Sequence, residues 1–120
     1  MIIECIIVGL GGFFGSILRY IISLIPIQET NNFPINTLLI NIIGCILISF
    51  ISFYITKNYP FNNKIDLFLK VGLCGGFTTF STFALETSQL IKNGSILFAF
   101  IYIFLSVFFG ILAIFIPEIL

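Results

Sequence analysis

The sequence predicts an all-α membrane protein with four transmembrane helices. Of its 120 residues, 59% are hydrophobic and only 8% are charged, whereas a soluble domain has about 25% charged residues. A helix needs about 20 mostly apolar residues to cross a bilayer, and four stretches meet that requirement. They cover approximately residues 2–25, 34–56, 66–91 and 96–116, so we expect residues 1–120 to form a single transmembrane domain.

Residues that interrupt helices separate the four stretches. The first stretch stops at Pro26, and the second begins near Pro34, because proline is tolerated in the first turn of a helix. A polar segment at 57–64 divides the second stretch from the third, and a short segment at 92–95 divides the third from the fourth. The fourth stretch ends at Pro117.

Composition also excludes several classes of protein. Five Lys and Arg residues balance five Asp and Glu residues, so the chain lacks the basic surface that binds nucleic acid. It has no histidine, the commonest proton shuttle and metal ligand, and we expect no enzymatic activity. Cys5, Cys45 and Cys74 all lie in apolar stretches and are interpreted as small apolar side chains that fill space.

The positive charges barely distinguish the two sides of the membrane. With four spans, Lys57, Lys64 and Lys70 share the side of the N-terminus, while Arg19 and Lys92 lie on the other side. The positive-inside rule gives such a chain only a weak preference. Insertion in both directions would permit an antiparallel homodimer, and a fixed orientation with the N-terminus in the cytoplasm is the alternative.

The third stretch contains a sequence that disfavours a continuous helix. Gly75 and Gly76 are followed by four Ser or Thr residues within the segment 77–82. Glycine destabilises helix interiors, and hydroxyls compete for backbone carbonyls, so we predict a break near the middle of this helix. Carbonyl groups freed there need a partner, and without nearby carboxylates they suit a monovalent cation. Close helix packing through small residues is the alternative.

Several polar and aromatic residues within the spans are candidates for an ion pathway. Phe80 and Phe83 share a helix face, and their partly positive ring edges are able to contact an anion, although lipid-facing or core positions are the ordinary role of such residues. The amide of Asn41 is either an anion donor or a bond between helices. Arg19 is either an anion attractor in a vestibule or a structural anchor.

The fourth and third spans supply the remaining candidates. Tyr102 and Ser106 are four residues apart and form a stripe of hydroxyl donors, which Gly110 continues. Glu86 is expected either to cap the broken helix or to face a vestibule.

Three motifs, in order along the chain, resemble the Fluc, or CrcB, fluoride channels. They are GGFFGSILRY at 11–20, NTLLINIIG at 36–44 and GLCGGFTTFSTF at 72–83. The resemblance covers essentially the whole chain. It implies an antiparallel dual-topology dimer with two pores in the cell (plasma) membrane, which exports fluoride passively from the cytoplasm and relieves its toxicity.

The resemblance also implies which residues meet the ions. A structural sodium ion (Na+) would be held by the backbone carbonyls of Gly75 and Thr78 at the helix break. The fluoride pathway would be lined by Arg19, Asn41, Phe80, Phe83, Ser81 or Thr82, Tyr102 and Ser106. The chain departs from the family pattern at Asn36, where glycine is frequent, and at Gly110, where a further hydroxyl is expected.

Two other classes of protein share this length and number of spans. A small proton-coupled exporter of cations or drugs requires a membrane-embedded carboxylate, but the first span has only Glu4, at its very start. A structural subunit that forms a heterodimer with a paralogue is the other alternative to the homodimer.

Overall fold

The computed structural model describes residues 1–27, 32–58 and 63–120, and the described residues are organised entirely as helices and their connections. Four helices are long and apolar enough to cross a membrane: Ile2–Ser23, Ile35–Ile55, Lys64–Lys92 and Ile96–Ile114. The third is bent. The predicted fold class, an all-α protein of four spans with an interrupted third span, is confirmed.

The spans are built from shorter helical elements. In chain order these are α1 (Ile2–Ser23), α2 (Ile35–Phe50), α3 (Asn63–Asp66), α4 (Gly75–Phe77), α5 (Phe80–Lys92), α6 (Ile96–Ile114) and α7 (Ile116–Ile119). Two π-helical segments, Ile51–Thr56 and Leu67–Cys74, continue α2 and α3. The third span therefore consists of α3, a π-helical segment, α4 and α5.

The connection between α5 and α6 is a tight turn that glycine makes favourable. The Ser95 amide donates to the Leu90 carbonyl over 2.8 Å, and the Gly94 amide donates to the Ile91 carbonyl over 3.1 Å. This pair of bonds is the Schellman arrangement, which places the residue after the helix cap in the left-handed region. Gly94 occupies that position with φ of +84°, so α6 starts immediately and runs antiparallel to α5.

Helix α1 packs directly against the first half of the third span. Gly11 and Gly15 are buried on α1, and the facing residues on the third span include Gly72 and Gly76. A Cβ atom added to Gly76 would lie 2.8 Å from the Gly12 carbonyl oxygen. The two backbones are therefore in contact, which only small residues permit.

The second and fourth spans form the other close pair, because α2 packs along α6. Few residues of these two spans are buried: in the most apolar part of each span, only 22% of the residues are buried within the chain. Most apolar side chains therefore face outward, as expected of a protein whose solvent is lipid. The buried cluster that does exist, Leu90, Ala99 and Tyr102, joins α5 to α6 at one end of the molecule.

Candidate ion pathway

The third span breaks at Thr78 and Thr79. Helix α4 ends at Phe77 and α5 begins at Phe80, and the two intervening residues are extended, with φ/ψ of −84°/158° and −148°/122°. The break falls inside the motif from which the sequence predicted it. Two threonines with extended backbones thus lie at the middle of a membrane span.

Asn41 on α2 satisfies the backbone at this break. Its Oδ1 accepts a hydrogen bond from the Thr79 amide over 2.9 Å, and its Nδ2 donates to the Thr79 carbonyl over 3.1 Å. The side-chain amide therefore replaces both helical partners of one extended residue. Because the two bonds share one planar group, they also fix the orientation of the Asn41 side chain.

Thr79 in turn caps α5. Its Oγ1 accepts from the Thr82 amide over 3.2 Å, as expected of a threonine at a helix N-terminus. The same hydroxyl lies 3.2 Å from Thr82 Oγ1 and 3.5 Å from Ser81 Oγ. The structure therefore gathers the predicted hydroxyls Ser81 and Thr82 into the first turn of α5, linked to one another through Thr79.

The redirected amides leave two carbonyls without their usual partners. In a continuous helix the Thr79 amide would bond the Gly75 carbonyl and the Thr82 amide would bond the Thr78 carbonyl. Here the first donates to Asn41 and the second to Thr79 Oγ1. The Gly75 and Thr78 carbonyls, which are the two predicted sodium ligands, thereby lose their i+4 donors.

The neighbouring carbonyls are satisfied differently. Arg19 Nε donates to the Gly76 carbonyl over 3.2 Å, and the Cys74 carbonyl accepts from both the amide and the hydroxyl of Thr78, over 3.0 and 2.9 Å. The guanidinium of Arg19 thus joins α1 to the end of α4, as a structural anchor would. Arg19 does not border the groove that runs along the break.

A groove of about 400 Å³ runs along the break, between the third span and the paired helices α2 and α6. It brings together six of the predicted ion-site residues: Asn41, Gly75, Thr78, Phe80, Phe83 and Ser106. The sequence prediction did not include the other lining residues: Gly44, Cys45, Ile48, Lys70, Cys74, Thr79 and Val107.

The two phenylalanines of the groove have different surroundings. Their ring centroids are 5.7 Å apart, with planes inclined by 49°. Phe83 is half-buried and packs on Tyr102, at 5.0 Å between centroids, whereas Phe80 is 79% exposed. Phe83 is therefore held by its own chain, and Phe80 projects from it.

The two predicted donors on α6 lie at different depths. Tyr102 is fully buried, and its hydroxyl donates to Glu86 Oε1 over 3.3 Å, so this tyrosine is placed behind Phe83 and not in the groove wall. Ser106 does line the groove, and its Oγ is buried with no hydrogen-bond partner among the described residues. The Ser106 hydroxyl is therefore not committed to another group among the described residues.

Glu86 borders a second, more polar pocket. This pocket has a volume of about 450 Å³ and is lined by Asn32, Pro34, Glu86, Gln89, Leu90 and Asn93. Glu86 lies in the middle of α5, well past its first turn, and it borders this pocket.

The two departures from the family pattern also have definite positions. Asn36 Nδ2 donates to the carbonyls of Ser23 and Ile25, over 3.2 Å each, and so joins the start of α2 to the end of α1. Gly110 is buried where α6 meets α2, and a Cβ atom there would lie 3.4 Å from Cys45 Sγ. Glycine at 110 therefore contributes no donor, and a Cβ atom there would fit at ordinary van der Waals distance.

The groove residues missing from the prediction gave weak signals in the sequence. Cys45 and Cys74 were interpreted as apolar fillers, and both also form part of the groove wall. Lys70 was counted only as a positive charge near a membrane surface. An ionisable residue six positions inside a candidate span is itself a functional signal, and that signal was not used.

The chain is similar in sequence to known proteins. Residues 6–117 match the model of a family described as CrcB-like protein, Camphor Resistance (CrcB). A protein of Phocaeicola vulgatus named fluoride-specific ion channel FluC is 47% identical over 112 residues, which are 92% of each chain.

Two further relatives carry the same name. The protein of Ruminiclostridium cellulolyticum is 46% identical over 89% of this chain and 83% of its own. That of Flavobacterium psychrophilum is 45% identical over 88% of this chain and 86% of its own. With a family model that spans nearly all of its residues and relatives this similar, the chain belongs to the CrcB-like family, as a multi-pass membrane protein.

Proposed function

We propose that this protein is a fluoride channel that lets the anion leave the cytoplasm passively across the cell membrane. The observation that carries the proposal is the groove along the helix break, where an orphan hydroxyl, an amide and two phenylalanines meet in a mostly apolar wall. None of the described residues that line it is a carboxylate. The relatives named fluoride-specific ion channels support the choice of ion. The role is transport and not catalysis.

The donors of the groove suit a small anion. Asn41 Nδ2 has two hydrogens and gives one to the Thr79 carbonyl, so the second remains for a ligand. The hydroxyl of Ser106 adds another donor, and the ring edges of Phe80 and Phe83 add partial positive charge. Fluoride is strongly hydrated, and a series of donors of this kind replaces part of its water shell.

The proton-coupled exporter is not favoured. Its mechanism needs a carboxylate that exchanges a proton for a cation within the pathway. Glu86 lines the polar pocket near the end of α5 and accepts the Tyr102 hydroxyl, and it does not border the groove.

A second copy of the chain is part of the proposal. Gly75, Phe80 and Ser81 are exposed at the break, although lipid does not satisfy irregular backbone at this depth. Protein must therefore cover this face. Two copies in opposite orientations would place one break against the other, and the weak charge bias of the sequence permits both orientations. A paralogue in the same position would serve equally.

The same face fits a sodium ion. The carbonyls of Gly75 and Thr78 have lost their helical donors, and hard cations prefer oxygen ligands. Two copies would supply four such carbonyls. A bound Na+ would supply positive charge that neutralises the carbonyl dipoles where the two breaks meet.

A flux assay tests the function directly. We expect liposomes that contain the purified chain to release fluoride rapidly and chloride hardly at all, because the groove offers several close donors to a small anion. Ion-selective electrodes measure both fluxes, and protein-free liposomes are the control. Equal release of the two anions, or no release from the single purified chain, would contradict a selective homodimer.

Cross-linking tests the arrangement of the two copies. In a chain with Cys5, Cys45 and Cys74 changed to alanine, we expect Ser81→Cys to form a disulfide-linked dimer, because the breaks face each other. Leu97→Cys is the matched control: Leu97 is 70% exposed at the start of α6, and antiparallel copies keep these ends apart. Replacing Na+ by N-methylglucamine should reduce the Ser81→Cys dimer. Efficient cross-linking at residue 97 would instead indicate parallel copies.

A further inference from the structure

One charged side chain borders the groove. Lys70 belongs to the π-helical segment Leu67–Cys74 and lines the same groove as Asn41, Phe80 and Ser106. Of the described residues that line this groove, it alone carries a charge. An ionisable group in such a place is expensive to keep unless it has a function or a partner.

The direction of the helices places Lys70 at one mouth of the groove. The third span runs opposite to α2, so Lys70 lies toward the end marked by Ile48, while Asn41 and Phe83 lie farther along. Lys70 precedes Thr78 by eight positions, which corresponds to at most about 12 Å of helix. An anion that enters from this side therefore meets the lysine before it reaches the donors at the break.

The partner of Lys70 leaves its ammonium group able to bind an anion. Asp66 Oδ2 lies 4.0 Å from Lys70 Nζ, and both side chains are 26% exposed. This separation exceeds the length of a hydrogen bond, and an ammonium has three N–H donors. Asp66 and Lys70 also border a smaller cleft of about 260 Å³, so the pair faces outward beside the groove.

We propose that Lys70 is the residue that collects fluoride at this mouth of the pathway, a role that rests on the proposed channel function. A fixed cation beside a low-dielectric wall raises the local concentration of a small anion and its rate of entry. Asp66 opposes this attraction and moderates it. A purely structural ion pair, in which both residues stabilise the helix at the membrane surface, is the competing account.

Four variants separate the two accounts. Lys70→Gln removes the charge from the groove, and Lys64→Gln is its matched control, since Lys64 is exposed on the same span and does not line the groove. Lys70→Arg keeps the charge. Asp66→Asn removes the ion pair but leaves the lysine. Each is purified, checked by size-exclusion chromatography, and assayed for fluoride release over a range of fluoride concentrations.

We expect Lys70→Gln to lower flux about tenfold at limiting fluoride and low ionic strength, and much less at saturating fluoride. The deficit should also shrink in roughly 1 M impermeant salt, where the screening length is about 3 Å. Lys64→Gln should stay within about twofold of the parent, and Lys70→Arg should retain most of the flux. Asp66→Asn should conduct as well as the parent or better, because it relieves the opposing charge.

The two accounts differ in the flux that they predict for Asp66→Asn. If Lys70→Gln and Asp66→Asn lose flux together, the pair is structural and the inference is overturned. Unchanged flux in Lys70→Gln, or equal losses in Lys64→Gln, also overturns it. Should Lys70→Gln fail to fold, Asp66→Asn decides: flux equal to or above that of the parent supports the inference, and a loss of flux overturns it. Absence of fluoride flux in the parent chain would instead contradict the proposed function itself.

Discussion

Asn41→Leu is expected to abolish fluoride flux and to destabilise the fold. Leucine has a similar volume but makes neither hydrogen bond to Thr79, so the amide and the carbonyl of that extended residue lose their partners. Each unsatisfied buried group costs about 1–3 kcal/mol, so the free energy of unfolding should fall by roughly 2–6 kcal/mol. Denaturant titration in detergent measures the stability, and liposome efflux measures the flux.

Two companions make the Asn41 result specific. Asn41→Asp keeps an acceptor for the Thr79 amide but turns a second oxygen toward the Thr79 carbonyl and buries a negative charge in the membrane, so it should lose both stability and flux. Asn36→Leu removes the other asparagine of α2, whose bonds reach Ser23 and Ile25; it should lower stability but leave conduction. A stable, conducting Asn41→Leu variant would show that the break does not need this amide.

Gly15→Ala is expected to destabilise the pairing of α1 with the third span. An added Cβ would overlap the Leu73 carbonyl oxygen and lie 2.9 Å from the Phe77 amide nitrogen, and both are backbone atoms that cannot rotate away. Overpacking of this kind costs about 1–3 kcal/mol. Moving α1 outward would also separate Arg19 from the Gly76 carbonyl, so flux should fall as well.

Gly9→Ala is the matched control for that prediction. It makes the same change on the same helix, where a Cβ would meet nothing within 4 Å. Alanine is the better helix former by about 1 kcal/mol, so this variant should be as stable as the parent or more stable. Equal losses in the two variants would indicate that glycine matters for α1 itself and not for its contact with the third span.

The sequence was sufficient for the spans and for the location of the break, since both depend on local composition. Long apolar runs define the spans, and Gly75, Gly76 and the threonines that follow make a continuous helix unfavourable. The residues that stabilise the break come from other helices. Neither Arg19 nor Asn41 reveals its partner in the sequence, because the hydrogen bonds join positions 57 and 38 residues apart.

The groove wall was harder to predict for the same reason. Tyr102 and Ser106 lie on one stripe of α6, yet only Ser106 lines the groove, since Phe83 covers Tyr102. Which hydroxyl of this pair faces the groove depends on how the neighbouring helices pack against α6. Lys70 is a candidate because it lines the same groove as Asn41, and the sequence does not show that the two residues share a groove.

The residues that bond the backbone at the break lie on helices that are synthesised before it. Both Arg19 and Asn41 belong to spans that leave the ribosome before the third one, and the third has the lowest hydropathy of the four, 1.3 against 1.9 to 2.7. An isolated third span has neither residue to satisfy Thr79 or Gly76, and in lipid it lowers its free energy by closing its own hydrogen bonds. We therefore expect the interruption at Thr78 and Thr79 to be fully satisfied only after this helix has docked on its two predecessors.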